Sequence, residues 1–357
     1  MTRVLVVDDS ALMRRHLSQL LQQQPGFDVR TARNGVEALE IVDAFDPQVV
    51  TLDVNMPEMD GITCLSRIMV GSPRAVIMVS SITEAGAETT LQALSLGAID
   101  FVQKPGGTIS LSLDEIAAQL VAKVKMAAGA RVRGRAGVAK PAPRPAPPPP
   151  ERMMKDGTIE PGLVILGVST GGPSTLETIL PALPADLPWP VLVAQHMPSS
   201  FTGVFARRLD ALCAIRVQEV RAPAPLLGGN VYIARGDADM VVARRGGVLS
   251  AMSVPASEQH SWHPSVTRLV ESAAEHVPAD RLIGVQLTGM GDDGAEAMAR
   301  WHRRGMRTIA QDAESCAVFG MPNELIRRAG ANLVLASDAI AGQIAKWLTP
   351  GRRATAS

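Results

Sequence analysis

Several charged and polar residues in the first third of the chain stand where short apolar runs end. Asp8 and Asp9 follow the first run, Asp53 ends the third, and Ser80 and Lys104 come at the ends of the fourth and fifth. Crowded carboxylates repel one another unless a divalent cation neutralises them, and oxygen ligands of this kind favour Mg²⁺. The set predicts a phosphoryl-transfer site in which Asp53 attacks phosphorus, Lys104 and Mg²⁺ neutralise the oxygens, and Ser80 hydrogen-bonds the transferred group. The alternative is that each side chain is merely solvated at a strand end.

A second chemical signal lies in a glycine-rich segment. Residues 163–172, LVILGVSTGG, place Ser169 in a G-x-S-x-G spacing at a strand-to-helix turn. Such a turn exposes a serine hydroxyl at the rim of a sheet, with a helix N-terminus behind it. Turns of this composition also cradle phosphates, so a nucleotide site is the alternative interpretation of this segment.

A nucleophilic serine needs a base, and the base needs an acid to orient it. His196 directly follows the apolar run VLVAQ, and Asp292 and Asp293 follow LIGVQL in a second glycine-rich loop, TGMGDDG. The carboxyl ends of parallel strands meet at one edge of a sheet, so we expect these groups at the same rim as Ser169. The order serine, histidine, acid differs from that of the α/β-hydrolases, which disfavours that family. The conjunction predicts a serine hydrolase, although TGMGDDG alone is also compatible with a metal or nucleotide loop.

The composition favours a globular protein with a sizeable core. Of 357 residues, 46% are hydrophobic and 20% are charged, and Lys plus Arg and Asp plus Glu are both 35. This charge balance argues against a nucleic-acid partner and against binding to anionic lipid. The three cysteines are scattered without metal-ligand spacing, so neither a zinc site nor a disulfide scaffold is expected. Because no signal peptide or membrane-spanning run is recognisable, we expect a cytoplasmic protein with no direct membrane insertion.

Alternating elements before residue 126 position the first set of residues. Five β-branched apolar runs alternate with segments of helical period, which predicts a doubly wound parallel sheet with both faces covered. The predicted strands are residues 3–7, 28–32, 49–53, 75–80 and 100–102, and the predicted helices are residues 11–23, 36–44, 62–69, 84–96 and 113–126. We assign residues 1–125 to this five-stranded, flavodoxin-like domain.

Residues 126–157 are interpreted as a basic, Pro-rich linker, and residues 158–350 as a second α/β domain. The linker contains PAPRPAPPPP, which favours extended polyproline. Strands of the second domain are predicted at residues 163–168, 191–195, 215–219, 282–287, 308–310 and 333–335. Runs at residues 231–234, 241–244 and 248–252 are predicted to be antiparallel strands appended to the sheet. The predicted fold class is α/β with two doubly wound domains, of which the second is larger and mainly parallel, with an appended antiparallel hairpin.

The first domain resembles a known family. VLVVDDSALMR, LDVNMPEMDG, MVSSIT and FVQKP are similar to motifs of the receiver domain of two-component response regulators. The resemblance implies that Asp53 is the phospho-acceptor and that Ser80 and Lys104 support its phosphorylation. It also implies a set of Mg²⁺ ligands: Asp8, Asp9, Asp53 and the backbone carbonyl of Asn55.

The resemblance extends over the whole chain. GVSTGGPSTL, VLVAQHMP, GNVYIA and LTGMGDDGA, after a receiver and a Pro-rich linker, are similar to the chemotaxis response-regulator family of protein-glutamate methylesterases. It implies that Ser169 is the nucleophile, His196 the general base and Asp293 the acid that orients the imidazole. It further implies that Thr170 hydrogen-bonds His196 and that the Met290 N–H is an oxyanion donor. The implied activities are hydrolysis of glutamate methyl esters and deamidation of glutamine, with no cofactor expected for the ester chemistry.

The same resemblance implies partners and regulation. The expected substrates are cytoplasmic helices of methyl-accepting chemoreceptors in sensory adaptation, and the expected phosphodonor is a chemotaxis sensor histidine kinase. Because a flexible linker transmits no force, we expect the receiver to cap the catalytic rim until Asp53 is phosphorylated. Three positions depart from the usual family pattern: His263 for an arginine, Arg235 for a proline and Asn55 for a glutamate. These departures bear on substrate contacts and phosphate lifetime rather than on the reaction.

Overall fold

The elements predicted before residue 126 are present. In the computed structural model, which describes residues 1–80, 83–104, 113–130 and 162–348, the strands are β1 (Thr2–Val7), β2 (Phe27–Ala32), β3 (Val49–Asp53), β4 (Ala75–Ser80) and β5 (Asp100–Gln103). The helices are α1 (Ala11–Gln22), α2 (Gly35–Phe45), α3 (Gly61–Gly71), α4 (Glu84–Leu96) and α5 (Leu113–Ala127). All strand pairs are parallel, in the order β2-β1-β3-β4-β5. This order confirms the flavodoxin-like prediction.

The register of this sheet places its carboxylates. β1 and β3 are neighbours with Val7 opposite Leu52, so Asp8 and Asp53 stand side by side at the carboxyl edge. Helix α3 begins very close to β3, because a Cβ added at Gly61 would lie only 2.0 Å from the carbonyl oxygen of Asp53. Only glycine at this position allows the start of α3 to pack directly against the backbone of Asp53.

Seven parallel strands form the main sheet of the second part of the chain. They are β6 (Leu163–Val168), β7 (Val191–Gln195), β8 (Arg216–Val220), β10 (Asn230–Ala234), β13 (Leu282–Gln286), β14 (Arg307–Gln311) and β15 (Leu333–Leu335), and their order is β15-β14-β13-β6-β7-β10-β8. The helices are α6 (Gly172–Ile179), α7 (Ser199–Leu212), α8 (Val266–His276), α9 (Ala295–His302), α10 (Met321–Arg327) and α11 (Ser337–Leu348). The larger parallel sheet of the predicted fold class is confirmed.

A separate antiparallel sheet accompanies the main one. It consists of β9 (Ala224–Pro225), β11 (Ala238–Arg245) and β12 (Val248–Pro255), in the order β11-β12-β9. β11 and β12 are the predicted hairpin, and both residues of their turn, Gly246 and Gly247, have positive φ, as the tight turns of hairpins often require.

The prediction for residues 231–234 was wrong. This run is β10, which pairs in parallel with both β7 and β8 inside the main sheet. Four of its five residues are buried, which is typical of a parallel strand covered on both faces. The turn signals on either side of the run suggested an antiparallel meander and obscured its continuous apolar character.

Contacts divide the chain into two compact units, Met1–Ala139 and Lys140–Ser357. Residues 131–157, which make up most of the predicted linker, lie outside the described residues, so the predicted domain limits stay predictions. Within the described ranges, no helix combines the length and the apolar composition that a bilayer crossing needs.

Candidate functional sites

An acidic cluster lies at the carboxyl edge of the first unit's sheet. One carboxylate oxygen from each of Asp8, Asp9 and Asp53 lies within 4.8 Å of the other two. Asp8 and Asp53 are buried, whereas Asp9 is exposed. Lys104 reaches two of them, with its Nζ 3.0 Å from Asp8 Oδ2 and 2.7 Å from Asp53 Oδ2. Four of the predicted side chains are therefore gathered around one point.

Asp53 and Lys104 are both shifted by burial and by each other. Burial raises the pKa of Asp53, and the hydrogen bond and charge of Lys104 offset this rise only in part. Burial lowers the pKa of Lys104, but the hydrogen bond with Asp53 and the charges of Asp53 and Asp8 outweigh it, so the pKa of Lys104 is raised. A desolvated carboxylate with one ammonium partner keeps acceptor capacity on its oxygens, as a nucleophile requires.

The donor set at this edge fits Mg²⁺. Three carboxylates offer hard oxygen ligands, and the exposure of Asp9 leaves room for the waters that Mg²⁺ retains. Asn55 is exposed two residues after Asp53, and its carbonyl accepts no hydrogen bond from the described residues.

Ser80 is fully buried at the end of β4. Its carbonyl accepts the Lys104 N–H at 2.6 Å, which ties the ends of β4 and β5 together. Its hydroxyl donates to the carbonyl of Gly86 in the first turn of α4, at 3.3 Å. The Ser80 hydroxyl is therefore directed toward the first turn of α4.

Ser169 lies in the turn between β6 and α6. Its N–H donates to the Thr288 carbonyl at 3.0 Å, and the N–H of Gly172 donates back to the Ser169 carbonyl at 2.8 Å. Gly171 adopts a φ of 77°, the left-handed region that favours glycine. Two amides of the turn are therefore used inside the protein, which disfavours the phosphate-cradle alternative. No hydrogen bond within the described residues engages the Ser169 hydroxyl.

His196 stands beside Ser169 because β6 and β7 pair in parallel. Val168 faces Gln195 in the register, and the His196 N–H donates to the Val168 carbonyl at 3.0 Å. The Gln195 side-chain amide donates to the carbonyls of both Ser169 and His196, at 2.9 and 3.1 Å. The predicted nucleophile and base are thus fixed at adjacent strand ends.

The two ring nitrogens of His196 have different surroundings. Nε2 lies 2.9 Å from Asp293 Oδ2, whereas Nδ1 is buried with no hydrogen-bond partner among the described atoms. Thr170, which we expected to hydrogen-bond His196, therefore donates nothing to this nitrogen. An imidazole that donates Nε2–H to a carboxylate keeps its lone pair on Nδ1, so Nδ1 is the basic nitrogen.

Asp293 lies at the N-terminus of α8, where unpaired N–H groups and the helix dipole favour negative charge. Its carboxylate accepts the N–H groups of Val266 (2.7 Å) and Thr267 (2.9 Å) and the hydroxyls of Thr267 (2.7 Å) and Ser265 (3.2 Å). Burial raises the pKa of Asp293, but the hydrogen bond and charge of His196 and the bonds from Thr267 outweigh it and lower the pKa to about 2. Asp292 is instead 64% exposed and pairs with Arg328 at 3.4 Å. Only the second of the two predicted acids contacts the imidazole.

Met290 belongs to a loop that packs directly on Ser169. A Cβ added at Gly289 would lie 2.6 Å from the Ser169 Cβ, so this approach requires glycine. The Gly289 N–H donates to the Val318 carbonyl at 3.0 Å, which holds the loop in place. The N–H of Met290 donates to no atom of the described residues, so the amide predicted as an oxyanion donor is available.

Two residues of this site were missed from the sequence. Trp262 stacks on the His196 ring, and Thr267 supplies two of the hydrogen bonds to Asp293. A signal for Thr267 is present, because Ser265 is an N-cap residue before an amphipathic helical pattern and marks a helix start. Trp262 carries no such local signal.

Comparisons with known proteins cover both units. Residues 164–344 match the family model described as CheB methylesterase, and residues 4–113 match the response regulator receiver domain model. A protein-glutamate methylesterase/protein-glutamine glutaminase from Rhodospirillum rubrum is 56% identical over 98% of this chain and 97% of its own length. Another, from Rhodopseudomonas palustris, is 51% identical over 97% of this chain and 98% of its own. The crystal structure of the Thermotoga maritima CheB methylesterase catalytic domain is also similar. The match covers 53% of this chain and 99% of that domain, with 34% sequence identity and a TM-score of 0.51.

Proposed function

The chain belongs to the protein-glutamate methylesterase family, with a receiver domain ahead of the catalytic domain, and from this premise we propose that Ser169, His196 and Asp293 are its catalytic triad. The protein is a carboxylic ester hydrolase with protein-glutamine glutaminase activity. The observation that carries the proposal is the 2.9 Å contact between His196 Nε2 and Asp293, together with the unpartnered Nδ1 at the strand end next to Ser169.

Acylation begins at the Ser169 hydroxyl. Its Oγ attacks the side-chain carbonyl carbon of a glutamate methyl ester while His196 Nδ1 takes the hydroxyl proton. Asp293 holds Nε2–H and stabilises the imidazolium. The Met290 N–H donates to the oxyanion, a contribution of about 3 to 4 kcal/mol for one such donor. The imidazolium then protonates the departing methoxide, and methanol leaves an acyl-enzyme.

Deacylation reverses these roles. His196 removes a proton from water, the hydroxide attacks the acyl carbon, and the bond to Ser169 Oγ breaks as the serine regains its proton. A glutamine side chain follows the same course, with ammonia leaving in place of methanol. Both reactions yield a glutamate, so one site accounts for both activities.

The test of the triad is Ser169→Ala. This variant should release no methanol from methylated receptor and no ammonia from the glutamine form, while Asp53 still accepts a phosphoryl group. Ser174→Ala, in α6, is the matched control and should retain wild-type rates. Ester hydrolysis by Ser169→Ala would refute the assignment. In a second experiment, wild-type protein is treated with a serine-reactive phosphonate. If Ser169 is not labelled, a second unit that binds a nucleotide and has no esterase activity is favoured instead.

The receiver domain is the proposed regulator. Asp53 accepts the phosphoryl group, Lys104 neutralises one of its oxygens, and the Ser80 hydroxyl rotates to bond another. When bound, Mg²⁺ supplies further neutralisation of these oxygens. The residues that would hold the ion are Asp8, Asp9, Asp53 and the carbonyl of Asn55.

The proposed partners follow from the two domains. The substrates are methylated glutamates and glutamines on cytoplasmic helices of methyl-accepting chemoreceptors, in sensory adaptation, and the phosphodonor is a chemotaxis sensor histidine kinase. Phosphorylation activates the esterase by relieving inhibition by the receiver. Deleting residues 1–150 should therefore raise the basal rate of methanol release, and an unchanged rate would remove the inhibitory role.

A further inference from the structure

One face of the His196 imidazole is covered by an indole. The rings of His196 and Trp262 are stacked, with centroids 5.3 Å apart and planes 5° apart. Trp262 is half-buried in residues 256–265, the loop that joins β12 to α8. An aromatic face attracts a cation placed over it, so the indole interacts more strongly with an imidazolium than with a neutral imidazole.

The same indole lies beside the turn that follows Met290. Gly291 has a φ of 85°, and a Cβ added there would lie 3.6 Å from Trp262 Nε1. The indole therefore lies next to both the base and the turn that follows the oxyanion amide.

Asp239, in β11, closes the loop that carries the indole. Its carboxylate is fully buried and accepts hydrogen bonds from the N–H groups of Ser257 (3.1 Å) and Ser265 (2.8 Å), from His263 Nδ1 (3.0 Å) and from an Arg268 Nη1 (2.7 Å). Burial raises the pKa of Asp239, but the hydrogen bonds from His263, Arg268 and the backbone outweigh it, so the pKa is lowered and the group is ionised. The bonds to Ser257 and Ser265 join the two ends of the loop, which restricts where Trp262 can lie.

We propose that Trp262 is a positioning residue that fixes the plane of the His196 ring and stabilises the imidazolium formed during acyl transfer. This inference rests on the proposed triad. Because the indole faces the base, its effect falls on the chemical step rather than on substrate binding.

The test compares Trp262→Leu with Trp262→Phe in the full-length protein. Both variants keep an apolar side chain in the loop, but only phenylalanine keeps an aromatic face. We expect Trp262→Leu to lower kcat for methanol release, and the rate of Ser169 labelling by a fluorophosphonate, about tenfold with KM within about twofold. Trp262→Phe should retain most of both rates. Trp347→Ala is the matched control, because that indole packs on Arg307 at the start of β14, at the opposite edge of the sheet.

The outcomes separate this inference from the function on which it rests. Equal rates for the leucine and phenylalanine variants, or a loss confined to KM, would overturn the role of Trp262. Wild-type protein that is not labelled at Ser169 would instead contradict the triad. A labelled wild type whose leucine variant reacts equally fast contradicts only the role of the indole.

Discussion

Two buried carboxylates, at the carboxyl edges of the two main sheets, have pKa values shifted in opposite directions. Asp53 ends β3 and Asp293 follows β13, and they are 4% and 8% exposed. Burial leaves the pKa of Asp53 raised, whereas the pKa of Asp293 is lowered to about 2. Burial at the edge of a parallel sheet therefore does not by itself decide whether the pKa of a carboxylate is raised or lowered.

The difference comes from the hydrogen-bond donors around each group. Asp53 is held by the Lys104 ammonium and by one backbone N–H, that of Val54. Asp293 accepts from His196 and from backbone and hydroxyl donors of Ser265, Val266 and Thr267 in the first turn of α8. A carboxylate surrounded by donors is a fixed anion that orients a neighbour, while one with few donors keeps the capacity to attack.

The largest expected effect comes from Asp293→Asn. An amide that donates to Nε2 forces the imidazole proton onto Nδ1, so the ring no longer accepts the Ser169 proton. We expect kcat to fall about 10⁴-fold, by analogy with the corresponding substitution in serine proteases, measured as methanol release. Asp292→Asn is the matched control, since Asp292 is exposed and pairs with Arg328 rather than with the ring, and its rate should stay near that of wild type. A similar loss in both variants would contradict the distinct role of Asp293.

The second prediction concerns Asp53→Asn, because an amide is not a nucleophile toward phosphorus. Stimulation of the esterase by acetyl phosphate should disappear, while basal methanol release persists. Asp293→Asn should show the reverse, with acetyl phosphate still labelling Asp53 and hydrolysis lost. Phosphoryl-dependent stimulation that survives in Asp53→Asn would show that another residue accepts the phosphoryl group.

The third prediction concerns acid stability. The folded-state pKa of Asp293 lies below its ordinary value of 3.8, so the ionised group stabilises the folded state above about pH 4, and this stabilisation is lost as the pH falls through about 2. The contribution is roughly 2 kcal/mol. All four tryptophans belong to the second unit, so their fluorescence follows its unfolding in the full-length protein. Between pH 5 and pH 2 the free energy of unfolding should fall more steeply for wild type than for Asp293→Asn, and parallel curves would contradict the prediction.

The sequence allowed much of both sites to be predicted, for a physical reason. Ser169, His196 and Asp293 follow apolar strand runs, and parallel strands bring their carboxyl ends to one edge whatever their order along the chain. The order of the strands in the main sheet was harder to predict. β10 was assigned to the antiparallel strands because its flanking glycines resembled hairpin turns.

What could not be predicted depends on contacts between distant residues. Which ring nitrogen of His196 is basic depends on which nitrogen contacts Asp293, and Asp293 lies 97 positions away in the sequence. Trp262 reaches the imidazole from a loop that Asp239 closes from another sheet. No local pattern reports such contacts, because the partners in each of them are far apart along the chain.

The smallest expected effect comes from Thr267→Val, which removes one donor from the Asp293 carboxylate. The Thr267 hydroxyl bonds Asp293 at 2.7 Å and accepts the Gly294 N–H at 2.9 Å, so its loss leaves that amide without its acceptor. We expect the free energy of unfolding to fall by about 1 to 2 kcal/mol, measured by tryptophan fluorescence in urea, with a decrease in kcat of only a few fold. Thr178→Val is the matched control, because the Thr178 hydroxyl bonds only a carbonyl of its own helix, that of Ser174. If both valine variants behave alike, the Thr267 hydroxyl does not help to hold Asp293 ionised, and the contrast with Asp53 depends on His196, the Ser265 hydroxyl and the backbone N–H groups of α8.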